Sequence, residues 1–233
     1  MDVDLDLDDP KVLLRGDVVA DPMPFYLRLR RAAPVWQVPG QDTFLVSDPG
    51  HVREAVGRPD DLSSNLVTLL RNDGDGGTEP YGLLPYGDPM HVLATADPPV
   101  HTRHRRLLQQ HLSPAAVAAL TPDIERIVDE QLTTMLGAGP VDAVAGFGDA
   151  VATRVVCRLI GLPEVLWPRI SDLVLRTGAL LDGVTTRAGT DAASVAALEL
   201  ASIVHEQLDR VRALPPDDQP GLLGVFGTDV AAG

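Results

Sequence analysis

The spacing of apolar positions divides the chain near residue 97. Beyond it, Val117, Leu120, Ile124, Ile127, Val128, Leu132 and Met135 recur mostly three or four apart, with Asp123, Glu125, Arg126 and Asp129 between them. That spacing predicts a helix with one buried face. Val144, Phe147, Val151, Val155, Val156, Leu159 and Ile160 cover a wider arc and predict a helix set deeper. Proline and glycine at 114, 137–140, 161–163 and 189 divide this half into helical stretches of roughly 98–112, 114–137, 141–160, 164–182 and 190–213.

The first half reads differently. Asp21-Pro22 and Asp48-Pro49 each set a carboxylate before a proline, which predicts two short helices with side-chain caps. Between them, residues 33–38 and 43–46 are β-branched and aromatic runs separated by Pro39-Gly40-Gln41-Asp42. They predict a hairpin, the one clear β signal. Residues 66–97 keep no period and include Asn72-Asp73-Gly74-Asp75-Gly76-Gly77, so this stretch is expected to be one long loop, either functional or disordered.

Charge and cysteine use narrow the function. Thirty-three acidic side chains against 19 basic ones leave a net charge of −14, which repels phosphate backbones and anionic lipid. Nucleic acid and membrane are therefore not expected as partners. No apolar run reaches the ~18–20 residues needed to span a bilayer, and the first ten residues are acidic where a signal peptide is basic. A cytoplasmic protein is expected. Cys157 is the single cysteine, which excludes an internal disulfide and offers no Cys-x-x-Cys metal or redox pair.

The most specific stretch is Ala96-Asp97-Pro98-Pro99-Val100-His101-Thr102-Arg103-His104-Arg105-Arg106-Leu107-Leu108, followed by His111-Leu112-Ser113-Pro114. On a helix, residues four apart lie about 40° from one another, so His101 and Arg105 project from one face as a two-pronged donor suited to a carboxylate. A metal site built from His91, His101, His104 and His111 is disfavoured, because Arg103, Arg105 and Arg106 surround them and repel a cation.

This stretch resembles the Asp-Pro-Pro-Glu-His-Thr-Arg-x-Arg-Arg segment of the cytochrome P450 family, with Val100 in place of the glutamate. Asp21-Pro22 with Tyr26 and Ala33-Pro34-Val35, Asp48-Pro49 through Ser63-Ser64-Asn65, and Val141-Asp142 through Gly161-Leu162-Pro163 are similar to family segments as well. The resemblance covers about residues 20 to 220. It implies a mainly α fold, the amino-terminal half of the cytochrome P450 fold, with a small β-hairpin near residues 33–47. Residues 1–233 are expected to form a single partial domain, with an acidic tail over 1–20, a long loop over 65–95 and helices over 98–213.

The family's activity is haem-dependent monooxygenation of a small apolar organic substrate, with O₂ and with electrons from a ferredoxin-type redox partner. By resemblance, His101 and Arg105 would bond the haem propionates, Leu83, Leu84, Tyr86 and Met90 would line the substrate site, and Arg103 and Arg106 would face the redox partner. Three family features are missing. In the Phe-x-x-Gly-x-x-x-Cys loop, the position of Cys157 would require Phe and Gly where Ala150 and Thr153 stand. No Glu-x-x-Arg pair and no Ala-Gly-x-Asp/Glu-Thr helix occur either. The chain is thus expected to stop before the oxygen-activation helix and to carry no axial cysteine and no catalytic residue. Alone it would be inactive, with uncovered apolar faces that bind hydrophobic dyes and promote aggregation. The alternative is a non-catalytic P450-like partner protein or a vestigial fragment.

Overall fold

The computed structural model describes residues 5–82, 92–109, 111–136, 139–180 and 185–229. The chain forms two compact units, one of residues 1–102 with 179–191 and one of 103–178 with 192–233. It is mainly helical, as the sequence predicts.

The first unit contains α1 (Gly16–Ala20), α2 (Met23–Ala32), β1 (Val35–Gln37), β2 (Phe44–Val46), α3 (Pro49–Val56), β3 (Thr68–Asn72) and β4 (Thr78–Gly82). Asp48 caps α3 as expected, its carboxylate accepting from the N–H groups of Gly50 and His51. Asp21 does not cap α2. Pro22 is the residue flanking that helix, so the Asp21 carboxylate stands one position too early. Asp21 instead closes α1, donating its N–H to the Asp17 carbonyl.

The expected hairpin forms, with Val35 opposite Val46 and Gln37 opposite Phe44. Trp36 faces inward and joins Val12, Val18, Phe25, Leu29 and Val38 in the core. Its ring meets Phe25 edge to face at 5.8 Å, and its indole N–H donates to the Leu7 carbonyl. Val12 and Val18 in this core come from the segment expected as an acidic tail, in which residues 16–20 form α1.

The stretch read as one long loop contains a second antiparallel hairpin, β3 with β4, so the first hairpin is not the only β structure. The glycine-rich run is its turn. Gly74 and Gly76 have φ of 96° and 85°, a region open mainly to glycine. The Asn72 carboxamide accepts from the N–H of Gly74, and the Asp73 carboxylate from those of Asp75 and Gly77. These turn residues and Pro80 within β4 mask the strands in the sequence, because neither is a strand former.

After α4 (Val100–Gln109), the second unit contains α5 (Pro114–Ala119), α6 (Thr121–Leu136), α7 (Asp149–Ile160), α8 (Trp167–Gly178), α9 (Arg187–Arg212) and α10 (Gly221–Asp229). Helices α4 and α9 each run across the division between the units. The helix predicted over 114–137 is two. Ser113 caps α5, and Pro122, which has no N–H to continue α5, restarts the chain as α6. Helix α10 was not anticipated, since Pro215, Pro216, Gly221, Gly224 and Gly227 read as breakers.

The expectation that α7 sits deeper than α6 holds. It packs against α6, α8 and α10, and Cys157, Leu162, Ile170, Val211 and Leu223 form the core around it. The wide arc is not buried throughout, however. Val144 and Val156 are exposed.

Gly161 ends α7 at φ 93°, and both it and Leu162 donate N–H bonds to the Cys157 carbonyl. A side chain at Gly161 would collide with the Pro220 carbonyl, and one at Gly221 would press on the Leu159 carbonyl. The backbones of α7 and α10 therefore meet with no side chain between them.

An ion cluster around the buried Arg154 ties α6 to α7. The Arg154 guanidinium donates to Glu130 and to Glu164, while Arg126 reaches the same two carboxylates at 2.9 and 3.6 Å. Arg154, followed by Arg126, holds the Glu130 carboxyl below the ordinary glutamate range.

Candidate functional site

Helix α4 carries the motif. The His101 N–H donates to the Asp97 carbonyl as the helix begins, and no acidic residue stands in its first turn, as Val100 implies. The Asp97 carboxylate is turned elsewhere. It accepts from the Ser64 N–H at 2.8 Å and bonds the Ser63 hydroxyl. It thus anchors residues 63 and 64 to the segment that leads into α4. The sequence displayed Asp97 within the motif but gave no sign of this role, because the partners lie more than thirty residues away.

His101 and Arg105 share one helix, one turn apart, with the imidazole half-buried and the guanidinium exposed. Neither side chain is hydrogen-bonded or ion-paired to a described residue. In a chain of this acidity, that is informative. Arg154, Arg158 and Arg169 are all engaged by carboxylates, whereas the α4 pair meets no acceptor among the described residues. The imidazole offers one lone pair at most and the Arg105 guanidinium repels a cation, whereas both side chains can donate to a carboxylate, so the pair suits a carboxylate better than a metal. Arg103 and Arg106 are exposed on the same helix. Leu83, Leu84, Tyr86, Met90 and His91 lie outside the described residues.

Cys157 does not fit a metal-ligating thiolate. Its side chain is in the core of the second unit, and burial, with a smaller contribution from the Glu164 charge, pushes the thiol above its ordinary value. A thiol-specific reagent is accordingly expected to label the chain only on unfolding. Rapid labelling of the native chain would contradict the buried position.

The second unit also holds an open cleft of about 520 Å³, lined by His111, Leu120, Arg158, Gln219, Leu222 and Val225. Arg158 is paired with Asp123 at 2.7 Å, and the Gln219 side-chain oxygen is buried without a hydrogen-bond partner.

Comparison with known proteins decides the family. Cytochrome P450 144 of Mycobacterium tuberculosis is 34% identical over 228 residues, which cover 97% of this chain and 51% of that protein. The crystal structure of CalO2 superposes with a TM-score of 0.68 at 25% identity, covering 96% of this chain and 53% of that one. The chain belongs to the cytochrome P450 family.

Further P450 relatives agree. The 6-deoxyerythronolide B hydroxylase of Saccharopolyspora erythraea is 29% identical over 83% of this chain and 47% of its own length. OxyE, a cytochrome P450 involved in teicoplanin biosynthesis, matches with a TM-score of 0.65 at 25% identity, covering 91% of this chain and 51% of that one. The chain spans about half the length of the curated relatives it matches. No family model matches it. The P450 assignment therefore rests on similarity along the whole chain rather than on the α4 motif. Among the described residues, no helix is long and apolar enough to cross a membrane.

Proposed function

We propose that these residues are the amino-terminal half of a haem-thiolate monooxygenase, and that His101 and Arg105 hold a haem propionate. The observation that carries this reading is the pair of donors on one face of α4, unbonded to any described residue in a chain otherwise rich in carboxylates. The resemblance of the flanking Asp-Pro-Pro and Ser-Pro to family segments supports it.

Haem, held here at its propionates by His101 and Arg105, would supply the activation of dioxygen for inserting one oxygen atom into an apolar substrate. This chain's own contribution is to bind and orient. The Arg105 guanidinium and the His101 imidazole donate to a carboxylate, and α4 fixes their separation at one turn. Asp97, through Ser63 and Ser64, steadies the segment from which α4 starts. The thiolate would come from beyond these 233 residues, because Cys157 is committed to the core. By the same reading, residues 83–90 border the substrate, Arg103 and Arg106 meet an acidic ferredoxin-type donor, both units belong to one P450 domain, and the protein is cytoplasmic.

The intact mass of the endogenous polypeptide tests the proposal. A product near twice the 24.8 kDa of this chain is the expected result. A product of 24.8 kDa itself would overturn it in favour of a non-catalytic, partner-binding role.

A further inference from the structure

The β3–β4 hairpin places Arg71 directly opposite Glu79, with Tyr81 as the diagonal neighbour on the same face. Arg71 is 6% exposed. Its Nε donates to Glu79 at 2.7 Å, and its guanidinium lies over the Tyr81 ring, 4.3 Å from the centroid. Its Nη1 is buried and has no hydrogen-bond partner. A buried charged donor without an acceptor is costly, and native structures rarely keep one without a reason. Stacking on Tyr81 fixes the guanidinium plane and therefore the direction in which Nη1 points.

Ion pairing gives a second, independent indication. Glu79 also lies 4.0 Å from Arg187. Two guanidinium groups thus approach one carboxylate, so Glu79 is not reserved for Arg71. We propose that this hairpin binds a carboxylate, with Arg71 Nη1 as the donor and Tyr81 holding the guanidinium in place. One free guanidinium nitrogen beside an aromatic ring suits a planar carboxylate better than a phosphate, which would need more donors. Among the described residues the hairpin has no third strand. The carboxylate comes either from a free organic acid or from a haem propionate. The choice between these sources rests on the P450 reading, but the site does not.

The test compares octanoate with octan-1-ol, which match in chain length and differ in the carboxylate, by titration calorimetry on the full-length product. Octanoate binds at least about tenfold more tightly, as expected for one charge-assisted hydrogen bond. Arg71→Met abolishes that preference. Glu79→Gln, which removes the competing carboxylate, tightens octanoate several-fold. The opposite signs separate loss of the site from loss of the fold, since a misfolded variant loses both ligands. Displacement of octanoate by added haemin assigns the site to a propionate, and no displacement assigns it to a free acid. Equal binding of acid and alcohol would overturn the proposal, as would a preference that survives Arg71→Met with an unchanged far-UV spectrum. Absence of haem binding leaves the octanoate result intact, so the two readings fail separately.

Discussion

Arg154→Ala lowers the stability of the chain by about 2 kcal/mol in urea unfolding, within the range for losing hydrogen bonds to a charged group. The guanidinium is 8% exposed, while Glu130 and Glu164 are 48% and 50% exposed. The carboxylates thus keep part of their hydration, and the upper end of that range does not apply. Acid sensitivity carries the same signature. The folded value of Glu130 lies below its ordinary 4.5, so its contribution is complete above pH 4.5 and is lost as the pH falls through the lowered value. In Arg154→Ala this acid-side loss shrinks, because the first cause of the lowering has gone. Urea midpoints at pH 7 and pH 3 for both proteins measure the two effects. A loss under about 1 kcal/mol at pH 7 would mean that the cluster behaves as an ordinary surface pair.

In the full-length product, His101→Ala and Arg105→Ala each weaken haem retention about ten- to a hundredfold, the value of one charge-assisted hydrogen bond of roughly 1.5–3 kcal/mol. The double variant loses more than either single one. Arg105→Lys keeps the charge but not the planar fork and recovers only part of the loss. Haem transfer to an apoglobin gives the rates. Wild-type retention in the double variant would show that α4 does not hold the propionate.

Local signals carried the helices well. Val117 to Met135 and Val144 to Ile160 announced their faces because burial on a helix repeats every three or four residues, and Pro22 and Pro49 marked helix starts. What stayed hidden depends on distance or on turn chemistry. Gly74 and Gly76 read as loop, yet they serve as the bend that lets Arg71 meet Glu79. Pro122 looked like a residue inside one helix, but it separates two. On α4, the shared face of His101 and Arg105 was legible from spacing, while a propionate role came only with the family resemblance. The Asp97 anchor was not legible, since only folding brings Ser63 and Ser64 to it, and the unsatisfied Arg71 nitrogen is visible only once burial is known.

The contact between Gly161 and Gly221 has a bearing on descent. Each glycine leaves room for backbone on the far side, so enlarging one cannot be offset by any change at the other. Lineages that preserve this arrangement should therefore retain both glycines together. A relative that has lost either one should carry α10 at a different height along α7.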